Sequence, residues 1–271
     1  VEAISAEDIG KLPDVSIAES IARLPGVAAQ RVAGRAQVLS VRGLSPDFST
    51  TLLNGRELVS TGDNRSVEFD QYPSELMAGV TIYKTPDAAL VGQGLSGTMD
   101  MRTVRPLDYD KPVVALSGRW QRNSLGSAAN QGATGNRFNA SYIGQSADRK
   151  VGYSIGYSHS DTPIQENQVG LYEPWEKIGD NWRPGVAAGT FYSNGIKALR
   201  RTGYTKRDGV MATLEFRPSD AWISTFDAFH SQAKQEDTAN QFEVNLGDYN
   251  GGFGRLNVVN PVINSNGTFV G

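Results

Sequence analysis

The stretch VGYSIGYSHS, residues 151–160, sorts its side chains by size. Val151, Tyr153, Ile155 and Tyr157 alternate with Gly152, Ser154, Gly156 and Ser158. An extended chain points successive side chains to opposite faces, so this spacing predicts a strand with one bulky face and one small polar face. Two solvents suit such a strand. In a soluble sandwich the bulky face packs into a core; in a membrane barrel it meets lipid and the small face lines the inside.

Neighbouring stretches repeat the pattern. VVALSGRW (113–120) places Val114, Leu116 and Trp120 on one face. FNASYIG (138–144) sets Phe138, Ala140 and Tyr142 against Asn139 and Ser141. GVMATLEFRP (209–218) sets Val210, Ala212, Leu214 and Phe216 against Thr213, Glu215 and Arg217. In WISTFDAFHSQ (222–232), Trp222, Phe226 and Ala228 oppose Thr225 and Asp227, while Ile223 and Phe229 break the rule. These strands are expected to run roughly 7–12 residues, near the length that crosses a bilayer at a tilt.

The connections choose between the solvents. They lie at 123–136, 145–150, 162–206 and 217–221, which is long, short, long, short. Outer-membrane barrels sort their loops this way, with long loops outside and tight periplasmic turns. Trp222 follows a tight turn, where an interfacial aromatic girdle belongs. The bulky faces are therefore expected to touch lipid.

Composition agrees and excludes other classes. The chain has 271 residues, 39% apolar and 20% charged, with 30 Gly, 10 Tyr and 10 Phe, which suits β-structure rich in turns. A net charge of −3 offers no basic face for nucleic acid. Without cysteine there is no disulfide framework, thiolate site or cysteine nucleophile. No apolar run reaches the ~18 residues of a transmembrane helix, and no basic-then-apolar leader opens the chain. The chain starts abruptly at Val1 and stops at Gly271 in a Gly/Asn-rich stretch, so it is expected to be a piece of a longer protein.

Residues 1–106 read differently, as a small α+β domain, with barrel strands and loops over 107–271. DVSIAESIARLPG predicts a short helix with Ile17, Ile21 and Leu24 on one face, Ser16 and Glu19 as a capping box, and Pro25-Gly26 as its stop. Strands VAAQRV and AQVLSVRGL follow, then TTLLNGRELV, whose Asn54-Gly55 pair signals a hairpin. PSELMAG is expected to be a second helix capped by Ser74, before strands GVTIYK and TMDMRTV.

No catalytic motif survives scrutiny. GQGLSG (92–97) spells the dinucleotide fingerprint, but a strand follows where a helix is required, so it reads as a tight turn. His159 and His230 lie on different strands, too dispersed for a metal site. Glu215 and Asp227 are expected as solvated charge in a wet lumen. In loop 162–206, Tyr172, Trp175, Trp182, Phe191 and Tyr192 sit among charged residues and offer flat faces for a ligand or for packing the loop on itself.

Taken together, SIAESIARLPGV, SVRGL, LLNGREL, SELMAGVTIYKTPDAAL and GLSGTMDMRT resemble the plug of TonB-dependent outer-membrane receptors. The resemblance implies an all-β transmembrane antiparallel barrel with an N-terminal α+β plug, of which about five strands are seen where the family has about 22. It further implies residence in the Gram-negative outer membrane, contact with its lipid, and partnership with the TonB energy-coupling complex of the inner membrane. It implies active import of a ligand without enzyme activity, cofactor or metal. VTIYKTP and GTMDMRT look like the branch linked to oligosaccharide uptake; a siderophore or metal-chelate importer and a surface signalling receptor are the alternatives. Ligand contact is expected at Asp63, Asn64 and Arg65 of the plug apex and at Trp175 and Trp182 of the loop.

Overall fold

The computed structural model describes residues 2–5, 17–32, 35–60, 65–69, 77–85, 87–90, 94–127, 131–172, 175–177, 185–245 and 258–270. The chain divides into two compact units, Val1–Ile164 with Gly203–Glu236, and Gln165–Thr202 with Asp237–Gly271.

The N-terminal part builds β1 (Glu2–Ser5), α1 (Ile17–Ile21), β2 (Val27–Val32), β3 (Arg35–Val41), β4 (Ser49–Leu53), β5 (Arg56–Glu57), β6 (Met77–Tyr83) and β7 (Gly97–Thr103). Five of these form a mixed sheet in the order β1-β6-β7-β4-β5, in which β4 and β7 run parallel. Strands β2 and β3 form a separate hairpin. A helix of five residues is too short to stand alone in water, so α1 depends on packing. Ile17 and Ile21 are fully buried among Leu39, Val41, Val80 and Met101.

Asn54 and Gly55 join β4 to β5 with φ of 53° and 77°. Positive φ at both central residues is what a two-residue hairpin turn requires, and Asn-Gly tolerates it best. Gly94 explains part of the G-x-G-x-x-G spelling. A Cβ there would stand 2.4 Å from the Gly97 carbonyl and 2.5 Å from the Thr50 nitrogen, so close backbone packing and not phosphate binding demands glycine.

The expected second helix is corrected in its latter part. Residues 73–76, with the cap Ser74, lie outside the described residues, but Met77 to Gly79 already belong to β6. Met77 pairs with Thr103 across a register shift and is buried, so sheet pairing prevails over a helix-like local pattern.

The remaining strands are β8 (Val113–Arg122), β9 (Thr134–Gln145), β10 (Val151–Leu171), β11 (Glu176–Lys177), β12 (Phe191–Tyr192), β13 (Gly195–Ser219) and β14 (Trp222–Asn245). The long ones form a sheet in the order β14-β13-β10-β9-β8, each sequential neighbour beside the last. Its bulky face is the open one. Tyr153, Ile155 and Tyr157 are 42%, 56% and 38% exposed, whereas Ser154 and Ser158 are 8% and 6% exposed. Leu214 and Phe216 on β13 are exposed in the same way, opposite buried Thr213 and Glu215. Val114, Leu116 and Trp120 on β8 and Trp222 and Phe226 on β14 are exposed too, on edge strands whose other face is also largely open. A water-soluble sheet does the reverse.

Strands β10, β13 and β14 have 21, 25 and 24 residues, well beyond the expected span. A bilayer crossing takes only ~9–11 tilted residues, so on the expected membrane reading about half or more of each strand would lie beyond the hydrocarbon. There both faces are wet and the apolar/polar contrast that marks a strand in sequence disappears. Accordingly, the expected loop 162–206 contracts to the segment between β10 and β13, 172–194.

Candidate functional site

The richest polar site in the first unit joins the N-terminal sheet to the long-strand sheet. It starts from Asn54 at the β4–β5 turn. The Asn54 amide donates to Thr103 Oγ1 at 3.0 Å and to Asp227 Oδ2 at 3.2 Å, and its carbonyl accepts the Thr103 N–H at 3.0 Å. Asp227, on β14, also accepts Arg105 Nη1 at 2.9 Å and the Thr213 hydroxyl at 2.9 Å. One carboxylate thus gathers a hairpin tip, the segment after β7 and strand β13. Charge-assisted hydrogen bonds of this kind contribute about 1.5–3 kcal/mol, towards the low end where water reaches them as it does here.

The segment after β7 is fastened at further points. Pro106–Asp108 form a 3₁₀ turn. The Leu107 N–H donates to Glu215 Oε2 at 2.9 Å, Gln145 Nε2 donates to the Pro106 carbonyl at 2.8 Å, and Arg149 Nη2 donates to the Leu107 carbonyl at 2.8 Å. Leu107 itself is 3% exposed and lies over Gly152, where a Cβ would stand 2.8 Å from Leu107 Cγ. Gly152 of the opening stretch therefore has a steric purpose. It lets another segment lie against the sheet.

These contacts correct the expectation for Glu215 and Asp227. Neither is free charge in a wet lumen. Glu215 is 3% exposed and holds a backbone N–H, and Asp227 is shared among three donors. Sequence reading missed this site because the plug and linker partners of Glu215 and Asp227 lie 108 to 173 residues away. Two side chains did carry a signal. Phe229, flagged as breaking the alternation, and Met211, an apolar residue on the Thr213 face, both pack with the N-terminal core.

Adjacent to Asn54, Asp100 accepts the Gly55 N–H at 3.0 Å and pairs with Arg102 at 3.1 Å. The carboxylate is nearly buried, and the two partners lock the turn to β7. His159 Nδ1 and the Tyr157 hydroxyl both contact Asp208, at 2.8 and 2.7 Å. In the tight turn at 146–150, the Ser146 hydroxyl and the Lys150 N–H hold the Asp148 carboxyl below its ordinary value.

Of the expected ligand residues, Asp63, Asn64 and Trp182 lie outside the described residues. Arg65, in the first unit, is exposed and pairs with Glu57 at 3.4 Å. Trp175, in the second unit, is 48% exposed immediately before β11, which pairs with β12. The second unit also carries two ionic clusters. Arg201 lies 3.9 Å from Glu166 and 3.5 Å from Asp237; Lys197 lies 3.7 Å from Glu243, with its ammonium 4.5 Å from the Tyr172 ring centre. Such a surface offers both charges and hydrogen-bond donors, with no single dominant sign.

Comparison with known proteins matches residues 1–98 to the family model described as TonB-dependent Receptor Plug Domain. Among solved structures, the chain is similar to the siderophore receptor PirA of Pseudomonas aeruginosa, with 19% identity and a TM-score of 0.47 over 89% of this chain and 42% of that one. It is similar to PirA of Acinetobacter baumannii at 14% identity and a TM-score of 0.49, over 89% and 43%. The outer membrane transporter YddB of Escherichia coli gives 16% and 0.47, over 88% and 39%. The chain spans about two fifths of the length of these receptors.

Proposed function

We propose that this chain belongs to a receptor of the Gram-negative outer membrane, a plug running into barrel strands, and that the full receptor imports a ligand through its plugged barrel. The observation that carries the reading is the open bulky face of β10, with Leu107 of the segment after β7 packed over Gly152 on its opposite face. A wall that is apolar outside and fastened to a plug inside is a closed gate. Opening it needs work on the plug, and the resemblance assigns that work to the TonB complex of the inner membrane. The chain breaks no bond of the ligand in this scheme.

For the ligand we infer an oligosaccharide, contacted by Asp63, Asn64 and Arg65 and by Trp175 and Trp182. Exposed Trp175 supports this reading, because a flat apolar ring suits the C–H face of a sugar while charged and amide groups suit its hydroxyls. The test is uptake by cells that carry the full-length receptor in place of their own. Energy-dependent accumulation of a labelled oligosaccharide, lost in the Trp175→Ala, Trp182→Ala double variant with barrel assembly intact, is the expected result. Accumulation of a ferric siderophore instead reassigns the substrate, and a transcriptional response without accumulation of any ligand makes the protein a signalling receptor.

A further inference from the structure

Besides the apolar packing of Met211 and Phe229, two hydrogen-bonded attachments of the plug to the wall share one residue. The linker 105–108 is held by the Arg105–Asp227 pair, by Glu215, Gln145 and Arg149, and by burial of Leu107 over Gly152. The hairpin tip meets the wall where Asn54 donates to Asp227, while the other side-chain bonds of Asn54 stay within the plug sheet, on Thr103.

The two attachments differ in what their rupture leaves behind. When Asn54 withdraws, Asp227 keeps Arg105 and Thr213 as donors, and Asn54 keeps Thr103. No buried group is orphaned. Pulling the linker away instead strips Glu215, 3% exposed, of the Leu107 N–H and uncovers a buried leucine. A buried polar group without a partner carries the full desolvation penalty, so the linker is the harder attachment to break.

We propose that Asp227 is a shared latch: movement of the plug breaks the Asn54–Asp227 bond, whereas Arg105 and the 106–108 contacts persist and act as the fixed hinge. The moving part of the plug then ends before Arg105. This rests on the import reading, since it is import that requires the plug to move. It also gives Asp227 a reason to be a carboxylate. An acceptor that must serve a permanent cation and a releasable amide needs lone pairs for both.

Hydrogen exchange followed by mass spectrometry on the full-length receptor in detergent micelles tests the proposal without reference to uptake. Asn54→Gly removes the amide's bonds to both Asp227 and Thr103 and keeps a residue that accepts the positive φ of the turn. Thr103→Val, which removes only side-chain bonds within the plug sheet, is the control. The control is expected to leave 49–58 within about twofold, and an equal acceleration there would overturn the latch. Asn54→Gly is expected to speed exchange in peptides covering 49–58 more than about tenfold and to leave 104–109 within about twofold. Glu215→Leu is expected to do the converse, and Gln145→Ala, which leaves no buried charge behind, provides the same comparison should Glu215→Leu assemble poorly. Acceleration of both peptides together in either variant would show one rigid attachment and overturn the proposal, as would unchanged exchange in both. Uptake, measured separately, judges import; the exchange pattern judges the latch and hinge.

Discussion

Replacing Ile155 by arginine asks directly what the bulky face touches. Ile155 is 56% exposed between Tyr153 and Tyr157 and pairs in register with Tyr142 of β9. A strand rises about 3.3 Å per residue, and at a tilt of about 40° that is roughly 2.5 Å along the membrane normal. Four residues beyond Val151, the side chain lies about 10 Å into an apolar band about 25 Å tall, close to its middle. Arginine there is expected to cost about 2–4 kcal/mol, or roughly 30- to 1,000-fold in the equilibrium for the inserted barrel. Ile155→Ala is the control, because an exposed side chain leaves no protein cavity when truncated. Urea unfolding of the full-length receptor in lipid vesicles, followed by tryptophan fluorescence, measures both. If the bulky face met water, arginine would be at least as well tolerated as alanine. An Ile155→Arg receptor as stable as Ile155→Ala refutes the lipid assignment.

Gly94→Ala is expected to unfold the plug selectively, since its Cβ would stand 2.4 Å from the Gly97 carbonyl; protease should then cut residues 1–103 while the barrel still resists heat in detergent. Leu107→Ala is expected to cost about 2–5 kcal/mol of plug attachment, read as a lower urea midpoint for plug release with the barrel midpoint unchanged. The Asp148 carboxyl, held down by the Ser146 hydroxyl and the Lys150 N–H, is expected to titrate below an ordinary aspartate by NMR. Ser146→Ala should move it back up. Because its folded value is depressed, whatever the turn gains from ionised Asp148 is present above the unfolded value and fades as pH falls through the folded one.

Much of this architecture is written locally. Asn54-Gly55 encodes its own turn, Ile17 and Ile21 encode the buried face of α1, and the alternation from Val151 to Ser158 encodes both the strand and its solvent. What stays hidden depends on partners distant in sequence. Nothing beside Met77 announces Thr103, and nothing beside Glu215 announces the backbone of Leu107. The full length of β10, β13 and β14 was hidden for another reason. Beyond the membrane both strand faces are polar, so the residues after Ser160 lose the contrast on which period-2 reading depends.

The exceptions to the pattern turn out to be its most informative residues. In a barrel wall the inward positions are expected to be small or polar, so an apolar side chain there needs a partner inside. Met211 and Phe229 occupy such positions; Met211 belongs to the core cluster that holds Ile17, Val80 and Met101, and Phe229 packs against that cluster. In the same region stand Glu215 and Asp227, which accept hydrogen bonds from linker and plug, and Thr213, which donates to Asp227. Apolar and polar inward residues thus converge on one patch of the wall. The apolar pair supplies burial that tolerates sliding, because the hydrophobic effect has no direction. The hydrogen-bonded group fixes one register, because it does. On the import reading, a plug held firmly at rest and still displaceable needs both kinds of contact, and on the proposed latch the polar ones decide where displacement begins.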